Sequence, residues 1–202
     1  MAVDGRAEKK HTPNRCMDNE SRTNRQYDEA LASCRKVFLD KSRDYGTSWR
    51  ALRIVSVADQ IYIKALRIRT IQEKGSQRIG DSIASEFSGI ANYSVIGLIQ
   101  LDLQSAPLEE LDPDEAARLY DLYATEARRL MTDKNHDYGE AWRGMSQESF
   151  ADLILAKVLR MRQILSNDGV TIASEGIGPN FMDILNYSLF ALILIAEGRH
   201  RG

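Results

Sequence analysis

The 202-residue sequence is poor in the residues that build metal and disulfide sites, with only two cysteines and three histidines. Cys16 and Cys34 match no metal-ligand spacing, and they do not make a disulfide framework. Neither a Gly-x-x-x-x-Gly-Lys-Ser/Thr loop nor a Gly-x-Gly-x-x-Gly turn occurs. These absences argue against histidine metal centres, P-loop NTPases and Rossmann-type dinucleotide binding.

Neither an excess of charge nor a long hydrophobic run is present. Lys and Arg number 27 against 29 Asp and Glu, so a nucleic-acid partner is not expected, although a local basic patch would survive this average. The longest apolar run, 184–196, is interrupted by polar residues and is too short to span a bilayer. The N-terminus has charges but no apolar signal-peptide core. We therefore expect a cytoplasmic protein without a membrane partner.

What the sequence does contain is an internal repeat. Residues 34–71 align without gaps on 127–164, and 17 of the 38 pairs are identical. After one inserted residue the match resumes, so that the segment around Asn92-Tyr93 corresponds to the segment around Asn186-Tyr187. This period is far longer than a solenoid unit and indicates a duplicated module. The expected organisation is a disordered tail 1–24, a first copy 25–103, a linker 104–113 and a second copy 114–198, with both copies packed as one domain.

Each copy has the pattern of three helices. In the second helix, apolar residues recur at three- and four-residue steps, and no segment alternates with the period of a strand. The predicted helices are 27–41, 56–73 and 86–103 in the first copy, and 114–134, 149–165 and 180–197 in the second. The predicted fold is therefore an all-α helical bundle built from two tandem three-helix units related by a pseudo-two-fold axis.

The sequence Asp-Tyr-Gly-x-x-Trp-Arg follows the first helix in both copies. It is compatible with a helix C-cap whose aromatic rings pack on the bundle. It is equally compatible with a loop that stacks a nucleobase and holds an acidic group with arginine. The residues concerned are Asp44, Tyr45, Trp49 and Arg50, and Asp137, Tyr138, Trp142 and Arg143.

The later helices carry charged and amide residues in both copies. The cations of the second helix are Lys64 and Arg67, and Lys157 and Arg160, and they fit either a solvated basic face or phosphate contacts. Asn92 and Asn186 fit either buried amides bonded to a neighbouring helix or substrate ligands. The acids are divided between copies: Glu86 in the first copy, and Asp183 with Glu175 upstream of it in the second.

These segments resemble the nucleotide modification associated domain 1 family of bacteria and phages. The resemblance rests on Lys-Asn-His-Asp-Tyr-Gly-Glu-Ala-Trp-Arg (134–143), Asp-Leu-Ile-Leu-Ala-Lys-Val-Leu-Arg (152–160), Ser-Glu-Gly-Ile (174–177) and the matching stretches of the first copy, and it covers 27–196. The third helix also resembles the last helix of MazG-like nucleoside triphosphate pyrophosphohydrolases, in which Glu-x-x-Asp and Glu-x-x-Glu pairs bind Mg²⁺.

Carried over, this second resemblance implies either a composite site for Mg²⁺, with Mn²⁺ as the alternative, formed from both copies, or a catalytic metal site that has been lost. The metal ligands of the composite site would be Glu86, Asp183, Asp152 and Asp59, and its catalytic residues Asp183, Glu86, Asp152 and Glu175. The sequence departs from the MazG pattern, since Gly89 and Asn180 break the acid pair within each copy.

Three functional hypotheses follow. The first is a Mg²⁺-dependent enzyme that releases pyrophosphate from a (deoxy)nucleoside triphosphate, for nucleotide modification or pool control. The second is a non-catalytic nucleotide-binding module, and the third is a structural helical protein that acts through a partner. A nucleotide is the expected ligand, and a second copy of the chain is a candidate partner.

Overall fold

In the computed structural model, residues 14–167, 169–170 and 175–202 are described, with side chains from residue 22 onward. This part of the chain contains six α-helices, two 3₁₀ turns and no strand, which confirms the all-α fold. The helices are α1 (Asn14–Tyr45), α2 (Ile54–Lys74), α3 (Ile83–Asp102), α4 (Pro113–Tyr138), α5 (Gln147–Ser166) and α6 (Ile177–Ala196). The 3₁₀ turns are Ser48–Ala51 and Ala141–Gly144.

Local signals explain where several of these helices begin and end. Asp112 caps α4 by accepting a hydrogen bond from the Asp114 N–H, and Pro113 occupies the first helical turn. Gly46 and Gly139 end α1 and α4 in the left-handed region, with φ of 69° and 60°. Glycine adopts this conformation without a steric penalty, so the repeated Asp-Tyr-Gly segment is a helix end in both copies.

The predicted disordered tail is wrong over its last part. Helix α1 begins at Asn14, whereas the sequence was expected to be disordered to residue 24. Residues 14–24 include few large apolar side chains. Polar contacts hold the end of this segment instead: Arg22 binds Glu197 at 2.7 Å, and the buried Thr23 lies 2.5 Å from Arg143. Residues 1–13 of the predicted tail lie outside the described residues.

The packing of the helices follows the duplication. Each helix contacts its counterpart, α1 with α4, α2 with α5 and α3 with α6, and the α3–α6 contact is the most extensive. The contact of α1 with α6 is matched by that of α4 with α3. Exchanging the two copies therefore maps this set of contacts onto itself, and one shared core forms between them.

Helix α6 lies in the middle of this core. By length and composition it is the one helix of the described chain that could cross a membrane, and 67% of its most apolar window is buried inside the bundle. The apolar run 184–196 noted in the sequence is shorter than this helix, which begins at Ile177. Its hydrophobicity is accounted for by its packing on α3 and α5.

Two equivalent tyrosines connect the copies through the core. Tyr27 of α1 donates a hydrogen bond to Asn186 Oδ1 of the second copy at 2.7 Å. Tyr120 of α4 donates to Asn92 Oδ1 of the first copy at 2.9 Å. Both tyrosines are fully buried, and burial raises the pKa of each phenol well above its usual range. Each asparagine in turn donates to a backbone carbonyl of its own copy, at Cys34 or Ala127.

Replacing Tyr27 with phenylalanine tests this connection. The change removes one hydroxyl and leaves the buried Asn186 Oδ1 without its donor, so we expect unfolding free energy to fall by about 1–3 kcal/mol. Urea denaturation followed by circular dichroism measures the difference. Tyr138→Phe is the matched control, because that ring is 73% exposed and its change should stay within about 0.5 kcal/mol. Equal stability of the two variants would show that the hydrogen bond contributes nothing.

Candidate functional site

A groove of about 1050 Å³ opens between the first copy and the end of α6. Helices α1, α2 and α3 and the first 3₁₀ turn form most of it, and Leu192 and Glu197 belong to the wall from the second copy. Many of its residues are the ones that the duplication has kept. These are Lys41, Tyr45, Gly46, Trp49, Lys64, Asn92 and Tyr93.

Aromatic side chains cover one part of the groove. Tyr45 is 55% exposed, whereas Trp49 is 8% exposed and packs near Phe38, with ring centroids 6.2 Å apart. The indole N–H of Trp49 is buried and has no acceptor among the described residues. Tyr93 is half-buried, and its burial together with the nearby Tyr45 raises the pKa of its phenol. The groove therefore combines an exposed ring with an unused buried donor.

The cations of the first copy surround Glu86 at the start of α3. Lys64 Nζ lies 3.0 Å from Glu86 Oε2, and Arg67 donates to Glu86 Oε1. Arg67 also donates to the backbone carbonyl of Asp81 at 3.1 Å, and so holds the loop before α3. Lys41 lines the groove, and among the described residues it has no carboxylate partner.

In the second copy the acid stands one helical turn later. Asp183 is buried, and its two oxygens accept from Lys134 and Lys157, each at 2.5 Å. Burial alone would lower the pKa of Lys134, but the hydrogen bond and charge of Asp183 outweigh it and raise that pKa. Two lysines equivalent to Lys41 and Lys64 therefore meet on one carboxylate.

Both repeated arginines act within the fold rather than as free anion clamps. Arg50 is buried, bonds to the Gln100 side chain, and donates to the Pro107 carbonyl at 3.0 Å. Arg143 pairs with Glu140 at 2.9 Å and Glu197 at 3.1 Å. Their predicted role in substrate binding is not supported by these contacts, because both guanidinium groups are engaged within the fold, and the Arg50 Nε–H, which has no acceptor among the described residues, is buried.

The acids expected to hold a metal lie in different places. Asp59 pairs with Arg162 at 2.6 Å, and Asp152 lies 3.6 Å from Arg69, so these carboxylates form ion pairs between α2 and α5. Glu175 is exposed just before α6.

Glu86 and Asp183 are at opposite ends of the α3–α6 contact. A Cβ at Gly97 would lie 2.5 Å from the Phe181 ring, so the end of α3 adjoins the start of α6. Glu86 is eleven residues before Gly97, or about 16 Å along the helix. Within the described ranges no group of three or more His, Cys, Asp or Glu side chains could hold a metal. The residues predicted to form a composite metal site are therefore not brought together among the described residues, and as placed they do not offer Mg²⁺ a shared set of ligands.

The remaining predicted residues divide into buried and exposed groups. Asn92 and Asn186 use their amides in the core bonds to the tyrosines and backbone, which agrees with the structural interpretation of them. Trp142 stacks on Phe190, with centroids 4.2 Å apart. The exposed residues are Asp44, Asp137, Tyr138 and Arg160.

Sequence reasoning missed two contributors to the groove. Lys41 belongs to the repeated Asp-Lys pair, identical in Asp133-Lys134, and this identity was the available signal. Glu197 had no such signal, because it stands beyond the last matched residues. Its carboxylate bonds to Gln26 at 2.8 Å and pairs with Arg22 at 2.7 Å and with Arg143. These partners largely compensate its negative charge at the groove edge.

Comparison with known proteins gives one match. The family model described as nucleotide modification associated domain 1 matches residues 41–101 and again 134–195. The two matches start at Lys41 and Lys134, and they correspond to the two copies. No curated protein and no solved structure matched the chain.

The pH dependence of stability tests the Glu197 contacts. Burial alone would raise the pKa of this carboxyl, but hydrogen bonding by Gln26 and the charges of Arg143 and Arg22 hold it below its usual range. A lowered pKa stabilises the fold above the pKa of the unfolded chain, and this contribution is lost as pH falls through the folded-state value. We expect Glu197→Gln to cost about 1–2 kcal/mol at pH 7 and progressively less below about pH 4.5.

Urea denaturation of wild type and variant between pH 7 and pH 3 measures this difference. Glu73→Gln is the control, since the exposed Glu73–Arg69 pair should contribute less than about 1 kcal/mol at any pH. A cost for Glu197→Gln that stays constant across this range would contradict the assigned role of its charge.

Proposed function

Because this chain belongs to the nucleotide modification associated domain 1 family, we propose that its groove binds a nucleotide. The observation that carries the proposal is the convergence of repeated polar and aromatic residues on one surface. Lys41, Tyr45, Trp49, Lys64 and Tyr93 all line the groove, and all have identical counterparts in the second copy. A scaffold that needed only an apolar core would not require these residue types.

The size of the groove agrees with this proposal. Small-molecule sites enclose about 300–1,000 Å³ and place a few polar groups on a mostly apolar wall. The groove has about 1050 Å³, with more apolar than polar surface along its lining. It can therefore accommodate a base, a sugar and a chain of phosphates together.

The lysines supply the charge that phosphates require. Lysine is a compact point charge with three donors and commonly binds phosphate. Lys64 is held by Glu86, whereas Lys41 has no acidic partner in the described structure. We infer that the phosphates bind at the Lys41 side, near Lys64.

The aromatic residues supply a surface for the base. Tyr45 exposes more than half of its side chain, and stacking of a base on an aromatic ring contributes about 1–3 kcal/mol in single-stranded nucleic-acid complexes. Trp49 contributes ring surface only, because its indole N–H is buried, and the equivalent N–H of Trp142 likewise has no acceptor among the described residues.

Hydrolysis to release pyrophosphate is the second candidate function, taken from the sequence resemblance of the third helix to MazG-like enzymes, which no comparison with known proteins supports. The acids expected to hold Mg²⁺ are engaged in ion pairs, so we derive no catalytic step from them. Binding without hydrolysis is the function that the geometry supports better.

Replacing Lys41 with alanine tests nucleotide binding. Isothermal titration in EDTA, with ribo- and deoxyribonucleoside triphosphates, monophosphates and unphosphorylated nucleosides, measures affinity without metal. We expect at least a tenfold loss for the best triphosphate and little change for its nucleoside, because only the phosphates meet Lys41. Lys36→Ala is the matched control: it lies on the same helix, outside the groove, and pairs with Asp40.

The same panel with Mg²⁺ or Mn²⁺, with pyrophosphate and orthophosphate measured separately, tests hydrolysis. Metal-dependent pyrophosphate release that disappears in Asp183→Asn would favour the enzyme hypothesis. Failure of every nucleotide to bind wild-type protein, or equal affinities of the Lys41→Ala and Lys36→Ala variants, would reject the proposed site.

A further inference from the structure

The two copies differ in the placement of one carboxylate within otherwise equivalent cation clusters. In the second copy, Lys134 and Lys157 both bind Asp183 at 2.5 Å. Their counterparts are Lys41 and Lys64, but the residue equivalent to Asp183 is Gly89. The first copy therefore has the two lysines without the carboxylate that the second copy places between them.

We propose that the terminal phosphate of the ligand occupies, over Gly89, the position that the Asp183 carboxylate fills in the second copy. This inference deepens the proposed function and rests on it for the identity of the ligand. In this assignment the first copy binds an external anion, whereas in the second copy the Asp183 carboxylate already occupies the equivalent position.

The surroundings of Gly89 agree with this assignment. Gly89 lines the groove, and the side chain of Lys64 lies across it: a Cβ on Gly89 would be 2.9 Å from Lys64 Cε and 3.1 Å from Nζ. The absence of a side chain at this position leaves room for the end of Lys64, which fills the space over Gly89. An anion enters there when this flexible end turns aside, and it then meets the Lys64 ammonium.

The second copy shows that two lysines from these helices can converge on one anion. Lys134 is at the end of α4 and Lys157 is in α5, and one carboxylate accepts from both. Lys41 and Lys64 occupy the same positions on α1 and α2. Glu86 does not take this place, because it is one turn earlier on α3 and bonds to Arg67 as well as to Lys64.

Substitution of Gly89 tests the proposed anion position. Gly89→Asp introduces a carboxylate where the second copy has one, and only the flexible end of Lys64 must move to admit it. Gly89→Asn is the matched control, with nearly the same shape and no charge. Titration with inorganic tripolyphosphate in EDTA should show at least tenfold weaker binding for Gly89→Asp than for Gly89→Asn. Equal affinities of the two variants would overturn the proposal.

The converse substitution opens the second copy. Asp183→Ala removes the internal carboxylate and leaves Lys134 and Lys157 for an external anion. We expect the number of tripolyphosphate ions bound per chain to rise from one to two, as measured by titration of protein whose native circular dichroism spectrum is retained. A folded variant that still binds one ion would contradict the equivalence of the two positions.

Parallel titrations with a nucleoside triphosphate separate this inference from the proposed function. Loss of both ligands in Gly89→Asp, relative to Gly89→Asn, supports both. If tripolyphosphate binding is lost but no nucleotide binds better than tripolyphosphate does, the anion position stands and nucleotide recognition fails. If nucleotides bind Gly89→Asp and Gly89→Asn equally well, the nucleotide site stands and the anion position is wrong.

Discussion

The structure depends on a pair of buried hydrogen bonds that each copy makes with the other. Tyr27 reaches Asn186 and Tyr120 reaches Asn92, so the Oδ1 of each asparagine finds its donor in the other copy. A buried amide without its partner costs free energy, which makes separation of the copies unfavourable beyond the loss of apolar contact. The bonds also fix the register of α1 and α4 on the two core helices, because each tyrosine has one acceptor to meet.

Exposed ion pairs also join the two copies, again in two equivalent places. Arg128 binds Asp28 and Arg35 binds Asp121, each at 2.6 Å, and both pairs join α1 to α4. Exposed pairs of this kind contribute little stability individually. The two pairs are equivalent under exchange of the copies, so the α1–α4 contact is itself symmetric. Specificity of pairing is the property that such complementary charges provide best.

The sequence predicted the architecture well because duplication made its signal redundant. Two aligned copies revealed the helices and the glycine ends at Gly46 and Gly139. The start of α1 was missed, since polar contacts of Thr23 with Arg143 replace the apolar periodicity on which the prediction depended. Identity between the copies also could not distinguish ligand-binding residues from structural ones. Arg50 and Asn92 are identical in both copies, as Lys41 is, yet both make hydrogen bonds within the fold.

The acids predicted to share a metal are separated for a different reason. Sequence alone gives the number of acids but not how the helices that carry them are paired. Because α3 and α6 are antiparallel, Glu86 and Asp183, each near the start of its helix, lie at opposite ends of the α3–α6 contact.

Divergence of the two copies and function of the groove are connected through that same antiparallel packing. The start of α3 meets the end of α6, so the groove of the first copy includes Leu192 and Glu197 of the second. A ligand in the groove would therefore contact both copies, and its binding energy would add to the stability of the whole bundle. If the ligand binds as proposed, the second copy needs no anion site of its own, provided that it supplies this wall. The Asp183 cluster, in which a carboxylate neutralises the lysines of the second copy, fits a copy retained for this supporting role.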